Sequence, residues 1–139
     1  MADSFNLERF VEAQAPVYDQ ARRELQAGRK ESHWMWFIFP QIAGLGQSPT
    51  SIRFAIGSLD EAKAYLAHPV LGRRLRECAT LVLGVKGGKA RDIFGPIDEM
   101  KFRSSMTLFA RAAPDEDVFQ RCLDKYFAGS PDPATLARL

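Results

Sequence analysis

The 139-residue chain has little of what usually announces a function. It carries only two cysteines and two histidines. Cys78 and Cys122 fall at apolar positions of helix-forming stretches and read as buried free thiols. With no histidine at ligand spacing around them they make no zinc site, and no other metal-ligand spacing occurs. The formal net charge is only +2. The densest basic cluster, Arg73, Arg74 and Arg76, is too short for a nucleic-acid stripe, so no nucleic-acid partner is expected. The longest apolar stretch, 34–45, is interrupted by Pro40 and Gln41 and is too short to span a bilayer. No basic-then-apolar leader opens the chain, so a cytoplasmic location is the expectation. No cofactor fingerprint is present, and no cofactor is expected. In the Gly-rich stretch 84–89, Ala90 follows Lys89 where a phosphate loop needs Ser or Thr, and Leu83 stands where its first glycine belongs. Gly44-Leu45-Gly46 has no strand before it, as a dinucleotide fingerprint requires. No convincing alternating strand pattern, internal repeat or low-complexity linker is visible. Residues 81–85 have strand propensity, but the stripe leading into them favours helix.

What is present is helical periodicity with regular punctuation. Hydrophobic residues make up 46% and charged residues 26%, ordinary for one globular domain spanning 1–139. Asn6 can cap a helix over 7–14, and Pro16 can sit in the first turn of one over 17–27 that ends at Gly28. Ser48-Pro49 opens a short helix reaching residue 55, and Ser58 caps 59–67 with Asp60 and Glu61 in its first turn. His68 precedes Pro69 as a cap or turn residue. Leu71, Leu75, Cys78 and Val82 form a stripe on a helix from Pro69 to about Gly84. Gly95-Pro96 separates helices over 90–94 and 98–112. Phe119, Cys122, Leu123, Tyr126 and Phe127 mark an amphipathic helix closed by Gly129, and Asp132 caps 133–139. The expected fold is all-α: one compact domain of about seven or eight mostly short helices.

Against this pattern one stretch stands out. His33-Trp34-Met35-Trp36-Phe37-Ile38-Phe39-Pro40-Gln41 holds both tryptophans and one of the two histidines. If helical, it is apolar all round, and the simplest reading is a central buried helix. The functional reading is a pocket wall in which Trp34 and Trp36 stack on a flat ligand while His33 and Gln41 hydrogen-bond its edge. The preceding Arg29-Lys30 can hold a phosphate. A second polar set lies at Asp98, Lys101, Ser104 and Ser105. Asp98, Lys101 and Ser105 share one helix face, and Lys101 can bind an anion while the serines offer hydroxyls. The simpler reading there is a surface Asp98–Lys101 ion pair with serines that permit close packing.

These residues carry a family likeness. The chain resembles the bacterial family catalogued as domain of unknown function 1810. The likeness rests on Gly28-Arg29-Lys30, Ser32-His33-Trp34-Met35-Trp36-Phe37-Ile38-Phe39-Pro40-Gln41 and Ala67-His68-Pro69-Val70-Leu71-Gly72. It continues through Asp98, Lys101 and Ser104-Ser105-Met106-Thr107-Leu108-Phe109 to Leu123-Asp124-Lys125-Tyr126-Phe127. The match runs nearly end to end. It implies a small, mostly helical cytoplasmic domain without an established activity. The order Glu31-Ser32-His33 then Phe39-Pro40-Gln41 is also similar to a more compact phrase of the NADAR proteins, which act on ADP-ribose-linked nucleotides. No second motif of theirs clearly aligns. That likeness implies hydrolysis of an N-glycosidic bond.

Three functions compete. The first is a small-ligand domain for a nucleotide-like or phosphorylated molecule. In it Lys30, Lys101 and Arg103 bind the anion, and His33 or Asp98 handles a proton. It requires His33, Gln41, Lys101 and Ser105 to converge on one concave site. The second is a non-enzymatic protein-interaction module that uses segment 33–41, with Trp34 or Trp36 as anchor. The third leaves the aromatic run wholly in the core. Oligomeric state is not legible in the sequence.

Overall fold

Helix boundaries fall where local capping chemistry puts them. The computed structural model describes residues 4–139, and nine helices lie among them. Ser48 Oγ accepts the Ser51 N–H to start α4 (Pro49–Arg53), and Ser58 Oγ accepts the Glu61 N–H to start α5 (Leu59–Ala67). Asp132 does the same through Thr135 for α9 (Pro133–Leu136). His68 Nδ1 accepts the N–H groups of Val70 and Leu71 at 3.1 and 3.3 Å, capping the turn into α6 (Leu71–Leu83). α2 (Tyr18–Ala27) ends on Gly28 at φ 76°, in the left-handed region that glycine enters without steric cost.

Several ends differ from expectation: α4 stops at Arg53 rather than residue 55, α6 starts at Leu71 rather than Pro69, and α9 stops at Leu136 rather than residue 139. α1 (Glu8–Gln14) begins from Leu7 rather than Asn6, with no side-chain cap. At the end of α8 (Asp117–Phe127), Ala128 takes the left-handed conformation and Gly129 follows it. The two helices expected on either side of Gly95-Pro96 are the arms of one bent element, α7 (Ala90–Ala112). It breaks at Gly95, where φ is 81° and ψ is 167°.

The aromatic run is not a central helix. It forms a single turn, α3 (Met35–Ile38), and stops at Phe39 because the residue before a proline is pushed out of the helical region. Gln14 Nε2 donates to the Phe37 carbonyl at 2.7 Å, satisfying part of the exposed end. Beyond it, Ile42 pairs with Ile56 in one isolated parallel bridge, which pins the chain after the run to the link between α4 and α5.

α7 packs against α5 and α8, and α6 packs against α2, α5 and α8. The core is aromatic where α3 meets both arms of α7. Phe39 lies edge-on to Phe94 and Phe102, and Phe94 and Phe102 stack at 4.8 Å across the break. Cys78 and Cys122 are buried free thiols. Among the described residues, no helix is long and apolar enough to cross a membrane.

One buried charge organises the segment between α2 and α3. The Glu24 carboxylate, 4% exposed, accepts five hydrogen bonds. They come from the Gln20 amide, the backbone N–H groups of Glu31 and Ser32, the Ser32 hydroxyl and the Trp34 indole at 2.8 Å. Burial by itself raises the pKa of this carboxyl. The hydrogen bonds of Ser32, Gln20 and the Glu31 backbone outweigh it and hold the pKa at about 2, below the usual 4.5.

Two expectations follow for stability. Gly72 lies so close to α5 that an added Cβ would meet the Leu66 carbonyl oxygen at 2.1 Å. Gly72→Ala should therefore cost more than about 2 kcal/mol in urea unfolding, despite alanine's better helix propensity. The folded-state pKa of Glu24 lies below its unfolded value. Its contribution, about 3 kcal/mol, is thus fully present above pH 4.5 and fades as pH falls toward 2. Glu24→Gln should be destabilised at pH 7 and show a flatter loss of stability between those pH values. An unchanged acid profile would show that this carboxylate does not carry the effect.

Candidate functional site

Lys30 follows the Gly28 cap, and its backbone N–H donates to the Ile93 carbonyl at 2.7 Å, which holds it against the first arm of α7. Its ammonium reaches Asp98 Oδ2 at 2.8 Å, in the first turn after the break. Lys101, one turn further on, approaches Asp98 Oδ1 at 3.6 Å. Each ammonium also lies over an indole. Lys30 Nζ is 5.1 Å from the Trp34 ring centre, and Lys101 Nζ is 4.7 Å from that of Trp36. One carboxylate therefore sits between two ammonium groups, each backed by a tryptophan. The Lys30 side chain is only 8% exposed, so this is not the simple surface pair that spacing also allowed.

These groups border a cleft of about 360 Å³ between segment 30–36 and the break in α7. Lys30, His33, Trp36, Asp98 and Lys101 all line it, and Gly95, Pro96 and Ile97 form the opposite lip. His33 is exposed at the rim. Two positive charges against one negative favour an anion in the cleft.

The other expected residues lie elsewhere, so of the four side chains expected to converge only His33 and Lys101 line this cleft. The Trp34 ring is fully buried, and its N–H is committed to Glu24, so it has no face for a ligand. Ser104 Oγ donates to the Met100 carbonyl and to Asp132, which ties α7 to α9. Ser105 is fully buried, does not line the cleft, and its hydroxyl has no protein partner among the described residues. Arg103 lies over Phe127 and donates to Ser130 and the Pro131 carbonyl. Arg29 lines a separate groove with Gln20 and Arg23. Gln41 lines a smaller cavity behind Trp36 and Lys101.

A larger groove, of about 530 Å³, lies beside Arg9, Phe37 and Arg53. Its best-placed cation is already committed, since Arg9 pairs with Glu61 at 2.9 Å and donates to the Arg53 and Ala55 carbonyls. Size alone does not make that groove a site. Among the described residues, no group of three His, Cys, Asp or Glu side chains is placed to hold a metal ion.

The family model for a protein of unknown function, DUF1810, matches residues 4–139. The chain belongs to this family. No curated protein matches it. This DUF1810 chain is also similar to a solved structure, that of the conserved hypothetical protein Rv1873 from Mycobacterium tuberculosis. The two are 55% identical, with a TM-score of 0.97 over 99% of this chain and 98% of that one.

The α7 break and Glu24 were not anticipated as parts of the site. Gly95-Pro96 was the available signal for the first, because a break exposes a fresh helix start beside whatever packs there. The Lys30–Asp98 pair should be measurable. Asp98→Asn leaves a mostly buried ammonium short of its counter-charge and should cost about 2 kcal/mol. Adding Lys30→Met should recover part of that loss in a double-mutant cycle followed by urea unfolding. Strict additivity would mean that the two residues are not coupled.

Proposed function

We propose that the cleft binds a small anionic molecule of the nucleotide-like or phosphorylated class. The observation that carries this reading is the meeting of Lys30, Asp98 and Lys101 beside His33 and Trp36, from two segments far apart in the chain. Asp98 holds both ammonium groups in place before a ligand arrives, which lowers the ordering cost of binding. Lys101 lies on the Trp36 ring, so a flat ligand group takes that face only as Lys101 turns to the ligand's phosphate. A ligand with both parts makes both exchanges, and a ligand with one part makes one. This favours a phosphorylated molecule with a ring over either fragment.

The reaction that suits this set is hydrolysis of an N-glycosidic bond in an ADP-ribose-type compound. Histidine is the side-chain type that exchanges protons near neutral pH, and His33 at the rim would protonate the departing base. Asp98 would face the positive charge that develops on the sugar, and a solvent water would add to that carbon as the base leaves, its proton returning to His33. The interaction-module reading has less support, because Trp34, Met35, Ile38 and Phe39 of the aromatic run are buried and offer no docking patch.

A thermal-shift panel of ADP-ribose, NAD and nucleoside monophosphates tests the binding reading. At least one should raise the melting temperature by about 2 °C or more, by mass action on the folded state. Lys101→Ala should weaken that ligand about tenfold, as loss of one charge-assisted contact does. His33→Ala should leave affinity nearly intact and abolish base release where it occurs. No shift with any of these compounds would sink the proposal.

A further inference from the structure

The cavity behind Trp36 is separate from the cleft and very small, about 10 Å³. It has room for one water-sized group. Trp36 and Lys101 line both spaces, so their stack forms the wall between them. The Trp36 Nε1 atom is buried and has no acceptor among the described residues. An N–H opening onto the cleft would be wetted, so this one does not open there. A buried unpaired N–H is costly, and the cavity is the adjoining space that can hold an acceptor. The side-chain amide of Gln41, which also lines the cavity, makes no hydrogen bond with a described residue. Ser51 Oγ accepts from Ser48, which leaves its own proton to give.

Donors outnumber acceptors among the polar side chains of this wall. An indole N–H and an ammonium only donate, the Ser51 hydroxyl has its proton to give, and the Gln41 amide offers two N–H groups beside one carbonyl oxygen. An oxygen therefore meets more partners here than an amino or ammonium group does. We infer that this chamber is an oxygen-acceptor subsite of the cleft, taking one oxygen of the bound oxyanion in place of a water. An anion in the cleft draws Lys101 off the indole and so removes part of the wall. The inference rests on the cleft binding an anion, and it adds which oxygen is read and by which donors.

The two tryptophans make the test direct, because an indole ¹⁵N–¹H spectrum of the full chain holds two side-chain signals. Trp36→Phe assigns them by removing one. In the free protein the Trp36 indole proton should show a cross-peak to a bound water. Titration with inorganic phosphate, and separately with ADP-ribose, should move the Trp36 signal to saturation and erase that cross-peak. The Trp34 signal, bonded to Glu24, should stay fixed and report an intact fold. Gln41→Leu should weaken the titrating anion about tenfold without moving the Trp34 signal. A Trp36 proton with no water contact in the free protein would show a protein acceptor and overturn the inference. His33 signals that shift while Trp36 stays still would overturn the chamber but keep the cleft. No response at either residue to either anion would overturn both.

Discussion

The buried carboxylate of Glu24 is the interaction on which the placement of the cleft depends. It receives five hydrogen bonds, four of them from residues 31–34, and so gathers a loop that has no regular structure of its own. Tethering the Trp34 N–H draws that indole into the core. The next tryptophan, two residues on and turned to the opposite side of the segment, is left at the edge. A neutral or shorter side chain at position 24 would leave these donors short of acceptors inside the protein, where such groups are most costly.

The second constraint comes from the opposite side. α7 would pass the aromatic run as an unbroken rod without the change of direction at Gly95. The break lets Phe94 and Phe102 stack on each other with Phe39 edge-on to both, and it brings Asp98 to Lys30. The same bend thus closes the core and opens the cleft. Stability and binding are coupled here, because the cations that would meet a ligand also hold the two segments together through Asp98.

Much of the fold was legible in the sequence. Ser48, Ser58 and Asp132 cap helices where their spacing says they should, and Gly28 and Gly95-Pro96 punctuate as expected. These are contacts over three or four residues, so the information is local. The aromatic run was harder. Its apolar content is compatible with a buried helix, but Pro40 stops it after one turn, and Gln14, far away in sequence, supplies a partner for its carbonyl. Of the polar residues singled out, Lys30, His33, Trp36, Asp98 and Lys101 line one cleft, while Trp34, Ser104 and Ser105 do not. Helical spacing put Lys101, Ser104 and Ser105 within one turn of each other, and a turn of helix spans both the cleft side and the α9 side.

By itself the sequence determined the family, the all-helical class and most helix ends, because periodicity and capping act between near neighbours. Only the tertiary structure decided which of the two tryptophans, Trp34 or Trp36, is interior and which borders a cavity. Only it paired Lys30 with Asp98 and separated Gln41 from the cleft. The physical reason is common to all three. Burial and ion pairing depend on which surfaces meet, and that depends on a bend at Gly95 and a carboxylate at Glu24 whose partners are set by packing across the whole chain.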